Sequence, residues 1–227
     1  MTPAQPAGAW LAAVRRSVGL TQAAAACQAG ITSRAWQAIE AGNRSSPRTL
    51  ARVAEVLDLD AAARRHLDRL NRPPYAAPAP PDPAHLSQLV AGLAVPAWVV
   101  DPAWEVLAAS PAAPTVPNIA CWAIQANSLW DDWPAVAGQL VARTRSVASW
   151  YAVPGQAVHD VVAALCAASG AATAAWSAGR VDDAPHHELV GLAGTAITLQ
   201  WAWLGTDPSA RLVMVTDVDG RLPLLSS

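Results

Sequence analysis

Ser33, Arg34, Gln37 and Ala38 are spaced to share one face of a short helix, while Trp36 and Ile39, three residues apart, form its apolar face. The chemistry open to that outward face is hydrogen bonding to base edges. Arginine offers a bidentate fork to guanine O6 and N7, and each such pair is worth roughly 1–3 kcal/mol of discrimination. Arg34 is the first candidate for base reading, Ser33 and Gln37 are further donors or acceptors, and the Ala38 methyl suits a thymine methyl. Gln22, Arg44 and Arg48 flank this set and are expected on the neighbouring phosphates, which give affinity without sequence preference. All seven point to double-stranded DNA as a partner.

Such a helix reads a groove only if its other side is anchored and a preceding helix crosses it closely. The segment TQAAAACQAGITSRAWQAIEAG (21–42) has the required parts: small Ala26 at the crossing, Gly30 in the turn, and Thr32 or Ser33 as a cap. Around it, residues 9–18 read as a first helix ended by Gly19, and Thr21 caps a second that runs to about Ala29. Pro47 opens a fourth helix over 47–57, and Asp60 caps a fifth over 60–71. Residues 1–71 are therefore predicted as an all-α, five-helix domain. Glu40, at the end of the reading helix, is expected to pair with a nearby arginine.

Charge supports this division. The net charge of −2 hides ten arginines against five acids in residues 1–75, a surplus of +5, and a balance of −7 over 76–227. A basic head suits a polyanion. Residues 72–83, RPPYAAPAPPDP, hold six of the nineteen prolines and predict an extended linker. Beyond it, 84–92 reads as a helix and 95–109 as two strands joined at Asp101-Pro102. Residues 117–149 and 157–168 read as helical, the latter ending at Gly170, and three strands follow within 187–219. The second domain, 84–227, is therefore predicted as α+β.

The chain has no phenylalanine and eleven tryptophans, nine of them after residue 95. Indoles supply broad apolar walls with one directional N–H donor. Trp122, Trp130, Trp133, Trp150, Trp201 and Trp203 are candidates to line a site for a small apolar or aromatic effector; each taken singly reads as core volume, and at least one of the six as lining the site. His159-Asp160 and His186-His187 are the only polar pairs with catalytic appeal, and no nucleophile elbow, HExxH or phosphate loop accompanies them. No enzymatic activity, metal or cofactor is expected. Three scattered cysteines, Cys27, Cys121 and Cys166, fit a reducing cytoplasm, and neither an export signal nor a membrane span is read.

Residues 8–57 resemble the Xre (Cro/C1-type) helix-turn-helix domain through GLTQ (19–22), AGIT (29–32), IEAGNR (39–44) and PRTLARVAEVLDL (47–59). Residues 86–219 are similar to the PAS-like ligand-binding domain of MmyB-like regulators. That likeness rests on VPAWVVDPAWEVLAAS (95–110), PNIACW (117–122), LWDDWPAVAGQLVARTRS (129–146) and ASGAATAAWSAGRV (168–181), extended by the closing strands. Ser110 stands where that family usually has asparagine. The resemblance implies a one-component transcription regulator whose second domain takes a small apolar molecule, a fatty acid being one suggested type. Palindromic operators imply a homodimer, with the second domain as dimerising element. The alternative is a regulator controlled by a protein partner.

Overall fold

Four polar side chains open the helices of the N-terminal region. Thr21, Thr32, Ser46 and Asp60 each accept a hydrogen bond from the amide three residues on, at 3.1, 3.1, 3.2 and 2.8 Å. A computed structural model of the protein describes residues 7–72, 82–148, 155–182, 187–192, 194–204 and 210–217. Its first half contains α1 (Ala7–Ser17), α2 (Gln22–Gln28), α3 (Ser33–Glu40), α4 (Pro47–Val56) and α5 (Ala61–Leu70). Gly30, between α2 and α3, has φ +62°. The amphipathic faces meet in one core built from Trp10, Leu11, Ala25, Ala26, Trp36, Ile39, Leu50, Val53 and Leu67.

The second half is helical and sheet-bearing, as expected. It comprises α6 (Pro83–Ala91), β1 (Ala97–Val100), β2 (Val106–Ala109), α7 (Ile119–Gln125), α8 (Trp133–Ala148), α9 (Gln156–Ala168), α10 (Gly170–Ser177), β3 (His187–Leu192), β4 (Thr195–Trp203) and β5 (Arg211–Asp217). The strands form one antiparallel sheet in the order β2-β1-β5-β4-β3. The turn joining β1 and β2 is held by Asp101, whose Oδ1 accepts from the amides of Ala103 and Glu105, both at 2.8 Å. All four residues of β1 are buried because the sheet is covered on both faces at that strand. Trp98 and Val100 enter a core with α7, α8 and α9, while Val99 packs with Leu86 and Val90 of α6.

Both sheet edges carry further pairing. Glu105, just before β2, bridges Asn118, and Trp130 bridges Leu192 of β3. Ser110 is buried; its hydroxyl donates to the Val95 carbonyl at 2.8 Å and accepts from the Ala97 amide at 3.0 Å, so it ties the end of β2 to the start of β1. One expectation fails here. Gly170 does not end the helix before it; Ser169 does, in an extended conformation, and the same residue caps α10 by accepting from the Ala172 amide.

Trp104 sits at the centre of the second half with no exposed surface and a positive φ of 67°. Its indole N–H donates to Thr144 Oγ1 at 2.7 Å, and the Arg211 guanidinium stacks 4.2 Å from its ring. Replacing it empties a large volume and leaves Thr144 and Arg211 without their packing partner. Trp104→Ala should cost about 3–5 kcal/mol in equilibrium urea unfolding. A loss below about 1 kcal/mol would show that this side chain is not central to the packing.

Candidate nucleic-acid interface

The geometry of α3 is set from beneath. Trp36 has no exposed surface and Ile39 is 8% exposed, so the opposite side of the helix faces outward. Ser33, Arg34 and Gln37 are exposed and Ala38 is half-buried. Arg34 makes no hydrogen bond or ion pair with the described residues. Ser33 and Gln37 form one side of an open groove of about 660 Å³, whose other side includes Arg16, Thr21, Gln22 and Ala23 from α1 and the start of α2. Arg34 is not among the lining residues, and Arg44 and Arg48 stand exposed beyond α3, in the 43–46 loop and at the start of α4.

Glu40 holds the three helices in this arrangement. Its Oε1 accepts from Arg15 Nε at 2.6 Å and from the Trp36 indole N–H at 2.7 Å. Its Oε2 accepts from Gln22 Nε2 at 2.6 Å and from an Arg15 terminal nitrogen at 3.3 Å. Arg15 also donates to the Leu20 carbonyl at 2.6 Å, fixing the α1–α2 connection. The Glu40 side chain is only 6% exposed. Burial alone would raise its pKa, but hydrogen bonds from Arg15, Gln22 and Trp36, with the arginine charge, hold it below the ordinary 4.5.

The expected pairing of Glu40 with an arginine is thus present, and its partner is Arg15. Gln22 borders the groove, yet part of its amide is turned to Glu40. Sequence reasoning missed the two cations that line the groove, Arg15 and Arg16. Arg16 donates to the Ala12 carbonyl at 3.1 Å, and half-buried Arg52, outside the groove lining, reaches the Gly30 carbonyl at 3.5 Å. The adjacent arginines at 15 and 16 were the available signal: one is 9% exposed and structural, the other exposed.

The candidate effector-site tryptophans are not all brought together. Trp122 and Trp130 meet edge to face at 5.9 Å, and Trp98, which had not been singled out, lies 6.4 Å from Trp122. Trp130 is 7% exposed and donates to the Ala123 carbonyl at 3.2 Å, as a core residue does. Trp133, half-buried, instead ties α8 to α9 through the Ala168 carbonyl at 3.3 Å. Trp201 and Trp203 pair by backbone with Val213 and Arg211, and their side chains lie outside the described residues, as does all of Trp150. His159 is half-buried on α9, His186 lies outside the described residues, and no cluster of metal-binding side chains occurs among those described.

Residues 7–67 match a family model described as a helix-turn-helix domain. This supports a DNA-binding regulator of the helix-turn-helix kind. No curated protein matches the chain. Among the described residues, no helix is long and apolar enough to cross a membrane.

Because the Glu40 pKa is lowered on folding, the carboxylate contributes stability above about pH 4.5, and that contribution is lost as pH falls through the lowered value. Glu40→Ala leaves Arg15 buried without its counter-charge and should cost about 3–5 kcal/mol at neutral pH. Glu40→Gln should flatten the acid side of the stability–pH curve, read by circular dichroism. An unchanged curve would show that this carboxylate does not control the acid response.

Proposed function

We propose that the protein is a one-component transcription regulator whose α3 enters the major groove of duplex DNA. The observation that carries this reading is one helix with opposite faces: Trp36 and Ile39 buried, and Ser33, Arg34 and Gln37 exposed, with Ser33 and Gln37 lining an open groove. In this reading Arg34 reads a base edge, Ser33, Gln37 and Ala38 add shape and polarity, and Gln22, Arg44 and Arg48 hold phosphates. It belongs to the Xre (Cro/C1-type) group, acts in the cytoplasm, and works as a homodimer on paired half-sites.

The second domain is an MmyB-like, PAS-like receptor for a small apolar or aromatic effector, a fatty acid being one suggested class. Support comes from the sheet-and-helix architecture and from the contiguous Trp98–Trp122–Trp130 cluster, with Trp122 half-buried and so within reach of a ligand at its margin. An effector that prefers one arrangement of the domains shifts operator affinity by its differential binding to the two states.

The two classes of DNA contact separate experimentally. In selection from a random duplex pool, Arg34→Ala should lose roughly 5- to 150-fold discrimination at one base position. Arg48→Ala should weaken binding to all sequences alike and reduce the salt slope by about one. Sequence preference unchanged in Arg34→Ala would remove the groove assignment. For the second domain, saturating fatty acids of graded length should raise the melting temperature in proportion to the logarithm of concentration. No shift with any of them, together with a co-purifying protein, would favour control by a protein partner.

A further inference from the structure

The head and the second domain touch through a small set of groups, among them Trp10 and Val14 from the head's own core. Trp10 of α1, 1% exposed, donates its indole N–H to the Gly179 carbonyl at 2.8 Å, across 169 positions of sequence. Gly179 follows α10 with φ +73°, and a Cβ there would fall 2.6 Å from Val14 Cγ2 and 3.2 Å from the Trp10 nitrogen. Arg69 of α5 reaches Ser146 Oγ of α8 at 3.1 Å, and Val181 packs against the head's core. The two domains keep separate apolar cores, so parting them exposes far less surface than unfolding either.

His66 lies beside this junction, against Trp10 and one turn before Arg69 on α5. It is 2% exposed, stands edge-on to Trp10 with ring centroids 4.7 Å apart, and its Nδ1 finds no hydrogen-bond partner among the described residues. Among the described residues, the charges acting on it are both cationic. Arg69 lies three residues further along the same helix, and Arg145 comes from α8 on the opposing wall. Arg145 is fixed there, stacked 3.8 Å from the Trp176 ring and donating to the carbonyls of Trp176 and Arg180 at 2.6 and 3.1 Å. Of the other charged groups on that wall, Arg143 is paired with Asp182 at 3.0 Å. Trp10 is the uncharged contact from α1.

We infer that this junction is an acid-released latch: neutral His66 seats the DNA-binding head on the second domain, and its protonation parts them. A protonated imidazole would be a buried cation repelled by two guanidinium groups, with no carboxylate among the described residues acting on it. Burial first, then Arg69 and Arg145, hold its pKa well below the ordinary 6.5. The docked state therefore binds fewer protons than the parted state. Docking is fully present above about pH 6.5 and weakens as pH falls below it. The latch goes beyond the DNA-binding reading and concerns how the head is held.

The test is backbone ¹⁵N relaxation of the full-length protein, which yields a rotational correlation time for each half. At about pH 7.5 the halves should share one value, and at about pH 5 the head should tumble faster than the second domain. His66→Phe, which keeps an aromatic ring but cannot titrate, should retain one shared value at both. Gly179→Ala should give two values at both, because its Cβ displaces Val14 and Trp10. Halves that stay coupled in the wild type at about pH 5, with both still folded, would overturn the latch. So would a His66→Phe protein that parts at the same pH as the wild type. Should His66→Phe fold poorly, the imidazole shifts of His66 in the wild type decide: they must titrate over the pH range in which the halves part, and titration outside that range overturns the proposal. Because tumbling is measured and not DNA affinity, either result leaves the groove assignment untouched.

Discussion

One carboxylate sets the geometry of the head. Glu40 accepts hydrogen bonds from α1, α2 and its own helix through four donor nitrogens on Arg15, Gln22 and Trp36. A guanidinium as buried as that of Arg15, in a residue 9% exposed, is tolerable only where its charge and donors are met. Trp36 contributes twice, placing its ring in the core and its N–H on Glu40. The backbone end of α3 is used as well: Gly8 of α1 lies so close that any Cβ would overlap the Glu40 carbonyl. The exposed face of α3 points where it does because so little freedom remains beneath it.

The second domain uses tryptophan as a directional tie as well as bulk. Phenylalanine would supply the apolar area but not the N–H donor. Trp98 donates to the Pro114 carbonyl, Trp104 to Thr144, Trp130 to Ala123 and Trp133 to Ala168, each joining segments separate in sequence. Trp10 does the same between domains. Two rings also carry buried guanidinium groups, Arg145 over Trp176 and Arg211 over Trp104. The rings thus share the cost of burying arginine with the carbonyls these guanidiniums reach.

The head was largely legible in the sequence. Its caps at Thr21, Thr32 and Asp60 and its apolar spacings act within one or two helical turns, so the local string carries them; Ser46, read only as loop, proved to cap α4. The strands were legible too, being short apolar runs bounded by turn residues. The α10 helix was not. GAATAAWS has small residues all round and no apolar stripe, and it becomes a helix by lying on α8 and α9 with Ala172 and Ala175 buried. The role of Ser169 at both helix ends was hidden for the same reason.

By itself the sequence determined most of the helices and strands, though not α10, which side of α3 is apolar, and that a basic helical N-terminal region precedes an acidic, sheet-bearing one. Capping, periodicity and charge balance act over a few residues or over composition. Tertiary structure decided that Gln22 turns toward Glu40, that Arg15 is buried on Glu40 while Arg16 stays exposed, and that Trp98, not only Trp122 and Trp130, builds the aromatic cluster. It also decided that Trp10 belongs to two domains at once. These are choices among partners far apart in the chain, settled by which donor reaches which acceptor once the helices have packed.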